Sequence, residues 1–264
     1  MGITRRDFIR VGGLGLLGLT IIPGRIPTAL QDIVSPGTNQ QVRTSRSDSK
    51  ASRWRFVVDI RKCIGCGRCV KACKLENDVP LQPEYNRTWV ERYVVNDSGE
   101  VFVDSPNAGI DGFSADYLNT KYQNLKARKS FFVPKLCNQC QRTPCIQVCP
   151  VGATYHTKEG IVLVDRKACI GCRYCIQACP YGARFLDPRL KVADKCTWCY
   201  HRITRGLLPA CVEACPVGAR VFGDITDPES TVSSMTREEP TAVLKPDLGT
   251  EPSVDYIGLD KVIR

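Results

Sequence analysis

The feature that most restricts this chain is its cysteine arrangement: sixteen cysteines fall into four groups of four, each with at least one Cys-x-x-Cys pair. The first group is Cys63, Cys66, Cys69 and Cys73, spaced C-x2-C-x2-C-x3-C. The third, Cys169, Cys172, Cys175 and Cys179, repeats that spacing and adds Pro180. The second, Cys137, Cys140, Cys145 and Cys149, opens the middle gap to four residues and is followed by Pro150. The fourth sets eleven residues between Cys199 and Cys211, with Cys196 before them and Cys215 and Pro216 after. At 264 residues the chain can build a core of its own, so these cysteines are not needed to staple a minimal scaffold. Structural zinc asks for one tetrahedral foursome, usually as two separated pairs, and disulfides between such close neighbours would strain the loops they close. Three thiolates at short intervals instead wrap a loop around one cubane, while the fourth, opening the next short helix, serves the neighbouring cluster. All sixteen cysteines are therefore candidate ligands, and the spacing predicts four [4Fe-4S] clusters.

A bacterial two-cluster ferredoxin uses two such runs, so four runs predict an α+β chain of two bacterial-type ferredoxin-like modules. The repeat reaches beyond the ligands. Val58-Asp59 precedes Cys63-Ile-Gly-Cys66 at the offset at which Val164-Asp165 precedes Cys169-Ile-Gly-Cys172. Cys149-Pro-Val-Gly-Ala153, Cys179-Pro-Tyr-Gly-Ala183 and Cys215-Pro-Val-Gly-Ala219 are three copies of one turn, and the first group departs from it with Lys74. Branched runs at Trp54 to Ile60 and Ile161 to Val164 read as strands entering the cluster loops, and Gly65 and Gly171 permit tight turns that bring amides toward sulfur. His156 and His201, the two histidines, read as surface or packing residues. Trp198 and Tyr174, inside Cys-x-x-Cys pairs, read as shields against water.

The formal charge of +10 would suit a nucleic-acid binder, but it counts cysteine as neutral. Four oxidised cubanes contribute about −8, which leaves roughly +2. The basic excess is then compensation for clusters, and no platform of interleaved aromatic and basic residues is present for a single strand.

Thr4-Arg5-Arg6-Asp7-Phe8 precedes a glycine-rich apolar run from Val11 to Ile22, too short to cross a bilayer comfortably and suited to a signal. Residues 1–30 resemble a twin-arginine export signal, a route that moves proteins already folded with their cofactors, and predict a periplasmic location. Residues 31–53 read as a linker. Residues 54–73 and 190–225 are assigned to an outer module and 131–189 to an inner one. Residues 74–130 form an insertion with a hairpin at Thr88 to Val95 and Glu100 to Asp104, read equally as a docking surface or a solvated excursion. Residues 226–264 read as a polar tail without a membrane-length apolar run.

With these motifs in view, the chain from Trp54 onward resembles the four-cluster electron-transfer subunits of the complex iron-sulfur molybdoenzyme family, and within it those of tetrathionate and polysulfide reductases. Ala193-Asp-Lys-Cys-Thr-Trp-Cys-Tyr-His-Arg202 followed by Gly206-Leu-Leu-Pro-Ala-Cys-Val-Glu-Ala-Cys-Pro216 carries most of the likeness. The resemblance implies a ligand exchange: Cys63, Cys66, Cys69 and Cys215 for cluster 1; Cys196, Cys199, Cys211 and Cys73 for cluster 2. It likewise implies Cys137, Cys140, Cys145 and Cys179 for cluster 3, and Cys169, Cys172, Cys175 and Cys149 for cluster 4. It further implies a non-catalytic electron carrier with two partners, a large molybdopterin-type (Mo/W) catalytic subunit and an integral membrane subunit that handles quinone. A nickel-iron hydrogenase subunit and a free periplasmic ferredoxin are the alternative settings for the same chemistry. No nucleophile-base constellation or phosphate loop points to an enzyme in its own right.

Overall fold

The computed structural model describes residues 53–113 and 126–263. The expected export signal, the linker up to residue 52 and residues 114–125 of the insertion lie outside the described residues. Strand β1 (Trp54–Asp59) leads into the first cysteine loop, and helix α1 (Arg68–Glu76) carries Cys69 and Cys73. The insertion supplies β2 (Thr88–Asn96) and β3 (Val101–Asp104) and the start of β4 (Ala127–Leu136), which runs on into the inner module. The second group adds the one-turn helix α2 (Pro144–Gln147) and the hairpin β5 (Thr154–His156) with β6 (Val162–Val164). The third adds α3 (Tyr174–Gln177) and the hairpin β7 (Arg184–Leu186) with β8 (Ala193–Lys195). The fourth adds α4 (Tyr200–Ile203), α5 (Ala210–Glu213) and β9 (Arg220–Asp224). Helix α6 (Thr231–Glu238), β10 (Thr241–Ala242) and β11 (Val254–Ile257) follow. The expected order of strand, cluster loop and short helix is present, but the third cysteine of each group, not the fourth, sits in the first turn of the helix. Cys69, Cys145, Cys175 and Cys211 do so, while Cys149, Cys179 and Cys215 lie just beyond the helix ends and Cys73 within α1.

Strand β1 is rich in aromatic and branched residues and holds the centre of a sheet ordered β10-β11-β1-β9. It runs antiparallel to β9, with Phe56 opposite Phe222, and parallel to β11, with Val58 opposite Tyr256. This pairing joins residues next to the first group to residues just after the fourth. Phe56, Val58 and Tyr256 are buried, and Trp198 packs its ring 6.0 Å from Phe56 and 5.4 Å from Phe222. Each such side chain taken fully from water contributes about 1.5–3 kcal/mol.

Two expectations from the sequence change here. Residues 226–264 are not a tail: Val254 and Tyr256 alternate inward from β11 into the core, and α6 buries Val232 against Val57 and Ile257. The four-residue strand lies in polar surroundings and is too short to stand out. Nor are the described parts of the insertion a solvated excursion. Strands β3, β2 and β4 form an antiparallel sheet in the expected hairpin order, and Val90, Val133 and Leu136 join the same core as Phe56. Arg92 and Asp104 face each other across β2 and β3 as a buried ion pair at 2.7 Å. Arg87 at the foot of β2 reaches Asp194 on β8 through three hydrogen bonds of 2.8–3.1 Å.

Candidate metal centres

All four cysteine loops share one backbone device. The residue before the second cysteine has a left-handed conformation in each: Gly65 (φ 68°), Gln139 (46°), Gly171 (70°) and Trp198 (54°). The conformation turns the loop so that sulfurs and amides face the same space. Glycine adopts it freely, whereas an L side chain loses roughly 1–2 kcal/mol there. Gln139 and Trp198 offset that loss through their side chains. Gln139 donates to the Cys196 carbonyl at 2.9 Å and accepts from the Val162 amide at 2.8 Å, and Trp198 fills the core. At Gly65 an added Cβ would meet the Phe132 ring of β4 at 2.6 Å, so β4 closes directly over the first loop.

The tertiary fold gathers sulfurs from different groups. Cys63, Cys66, Cys69 and Cys215 line one cavity. Cys73 lies in electrostatic reach of Cys196, Cys199 and Cys211, and Cys140 in reach of Cys137, Cys145 and Cys179. Cys175 is in reach of Cys169 and Cys149, with Cys172 exposed on the same loop. The sets also adjoin in a row. Cys211 of the second acts on Cys69 of the first, Cys196 of the second on Cys137 of the third, and Cys145 of the third packs with Cys175 of the fourth.

None of the sixteen cysteines is in a disulfide. Burial pushes Cys63 and Cys145 up to about 11 and Cys140 and Cys196 up to about 12, with neighbouring thiols adding to the effect. Such crowded, dehydrated sulfurs cannot ionise together unless positive charge arrives with them, as iron supplies. Cys149 goes the other way: its modest burial is outweighed by the Thr154, Val151 and Ala153 amides, which hold it below the usual thiol value. Backbone amides also point at sulfur from Ala219 to Cys215 (3.3 Å), Trp198 to Cys196 (3.4 Å) and Ala193 to Cys169 (3.4 Å). Asn77 spans two sulfurs of the second set, 3.7 Å from Cys73 and 3.6 Å from Cys199, its oxygen held by Arg87 at 2.9 Å. This donor set suits an anionic cluster, whose sulfurs accept such hydrogen bonds.

Buried cations complete the fit, and the cysteine spacing alone does not single them out. Arg184 donates to Cys145 Sγ at 2.9 Å. Arg220 lies in the wall of the first cavity, its Nε and Nη1 without hydrogen-bond partners among the described residues. An orphaned guanidinium against thiols is a counter-charge suited to an anionic cluster. A signal in the chain does exist: both arginines follow a Cys-Pro-x-Gly-Ala turn. Lys74, the departure from the repeat, folds inward and donates to the carbonyls of Pro80, Gln82 and Tyr85 at 2.7–3.0 Å, pinning the start of the insertion. The histidines take ordinary roles, His201 against Glu76 at 2.7 Å and His156 against Thr143 at 3.0 Å. Trp198 is buried as expected of a shield, but Tyr174 is more than half exposed and shields little.

This fold and its thiol sets define a dicluster iron-sulfur protein. Residues 62–153 and residues 128–225 each match the 4Fe-4S dicluster domain, so the chain carries four [4Fe-4S] clusters. It is 39% identical over 262 residues to the tetrathionate reductase B subunit of Salmonella typhimurium, covering 98% of this chain and 90% of that protein. The tetrathionate reductase B subunit of Archaeoglobus fulgidus is 45% identical over 210 residues (80% and 84%), and the polysulfide reductase B subunit of Wolinella succinogenes 38% over 205 residues (77% and 93%). The chain belongs to the family of iron-sulfur B subunits that these proteins represent, and its function is electron transfer.

Proposed function

We propose that this chain relays single electrons along its four clusters between a molybdopterin-type (Mo/W) catalytic subunit and a membrane quinone or cytochrome partner in anaerobic-type respiration. The observation that carries the reading is the row of sulfur sets, whose exposed cysteines, Cys66 and Cys172, belong to the first and fourth sets. A row that surfaces at both ends has one contact for each partner. The clusters supply one-electron couples; the protein holds them in sequence, excludes water and sets the surrounding charge. The ligand sets are Cys63, Cys66, Cys69 and Cys215; Cys196, Cys199, Cys211 and Cys73; Cys137, Cys140, Cys145 and Cys179; and Cys169, Cys172, Cys175 and Cys149. Residues 54–73 and 190–225 thus make one two-cluster module and 131–189 the other.

Arg5-Arg6 and the apolar run after them support export by the twin-arginine route to the periplasm. Among the described residues no helix is long and apolar enough to cross a membrane, so membrane association is assigned to the N-terminal segment or to partners. The test is anaerobic purification of the tagged protein from its native membranes, with metals and sulfide measured together. Iron and sulfide near sixteen per chain beyond the partners' own, accompanied by molybdenum or tungsten, is the expected result. Nickel in their place would indicate a hydrogenase, and no large partner at all a free ferredoxin.

A further inference from the structure

Three cationic side chains are buried along the row of sulfur sets, and each stands where two sets adjoin. Arg220 lines the cavity of Cys63, Cys66 and Cys69, and its charge also acts on Cys211 of the second set. Lys195 is fully buried, donating to the Val162 and Cys196 carbonyls at 2.5 and 2.8 Å, and acts on Cys196 of the second set and Cys145 of the third. Arg184 donates to Cys145 of the third set at 2.9 Å and acts on Cys175 of the fourth. Arg184 and Arg220 follow Cys179-Pro-Tyr-Gly-Ala183 and Cys215-Pro-Val-Gly-Ala219, so the repeat puts one arginine in each module at the same place. None of the three has a carboxylate within ion-pairing distance among the described residues. Among the described residues Arg220 donates to the Thr88 hydroxyl at 2.8 Å, and Arg184 also donates to the Thr154 hydroxyl at 3.3 Å and hydrogen-bonds Cys175.

We propose that Arg220, Lys195 and Arg184 form a series of fixed positive charges, one at each junction of the four-cluster row, that raises the reduction potentials of the two clusters each one separates. The proposal rests on the ligand sets above. Its physics is direct. Each reduction adds one negative charge, and a nearby buried cation, poorly screened by salt, stabilises the reduced form more than the oxidised one. A cation shared by two clusters also offsets the repulsion between them when both are reduced. These are positioning charges: they transfer no electron themselves.

The experiment is an EPR-monitored redox titration of the purified complex, with iron and sulfide counted in each variant. Arg220→Met keeps length and apolar volume and removes the charge. It is expected to weaken reduction of clusters 1 and 2 by about tenfold, about 59 mV for a one-electron couple, while clusters 3 and 4 stay within about threefold of wild type. Arg220→Lys, which keeps the charge, is expected to stay near wild type. Four clusters at unchanged potentials in Arg220→Met, or an equal shift of all four, would overturn the proposal. If that variant loses iron, Lys195→Met decides: the expected fall is at clusters 2 and 3, and unchanged potentials there, or loss of iron again, would assign these cations to assembly and reject tuning. A wild-type complex short of four clusters would instead reject the ligand sets, and this proposal with them.

Discussion

The region around the first and fourth cysteine groups and the region around the second and third use the same loop chemistry on different supports. The former is braced by the sheet β10-β11-β1-β9, by α1, the longest described helix, and by the Phe56, Trp198, Phe222 and Tyr256 core. The latter has two hairpins with strands of three residues, two one-turn helices, and a small cluster of Cys145, Val162, Cys175 and Ala193 in which two of the four members are expected ligands. A region whose own small cluster is half sulfur, and whose other buried residues such as Ile161 and Ala183 lean on the larger core, depends on its metal for order, as small metal-bearing domains do. Repeating a ligand motif therefore does not repeat its energetics.

Cluster removal should have the largest effect. Under oxidative chelation, amides of β5 to β8 are expected to lose essentially all hydrogen-exchange protection while β1, β9 and β11 keep theirs; simultaneous loss would erase the distinction. Next come the two cores. Phe56→Ala should cost about 3–5 kcal/mol in anaerobic urea unfolding, and Val162→Ala about 2 kcal/mol or less, because the first empties a larger, better packed site. Asp194→Ala tests the link between regions: it leaves the buried Arg87 charge without its carboxylate and should cost about 3–5 kcal/mol. The pair Arg87→Met with Asp194→Leu should recover most of it, which the same unfolding measurement reads. The smallest contrast is between two left-handed glycines of the second region. Gly182→Ala should lose about 1–2 kcal/mol for backbone alone, since nothing lies within 4 Å of the added Cβ. Gly171→Ala should lose more, because its Cβ would sit 2.4 Å from the Lys191 carbonyl.

Much of the local architecture was legible from the chain. The branched run at Trp54, the Thr88 hairpin and a short helix in every cluster loop are where the spacing and propensities put them, because each is governed by neighbours a few residues away. Which cysteine opens the helix, the third and not the fourth, was not legible. The left-handed Gln139 and Trp198 escaped notice since neither is a residue type that advertises that conformation; only their buried partners permit it. The β11 strand escaped because four residues carry too little pattern to separate from a polar tail.

What the sequence determined by itself is the cluster chemistry. A cubane demands several thiols within about a dozen residues, and a local demand of that kind is written in spacing. What only the tertiary structure decided is everything that meets across long separations. Phe132 closes over Gly65, β11 pairs in parallel with β1, Arg87 meets Asp194 from 107 residues away and Arg220 meets Thr88 from 132. Those contacts depend on which buried charges and surfaces find one another once water is excluded, and burial is a property of the assembled fold that no short stretch of chain contains.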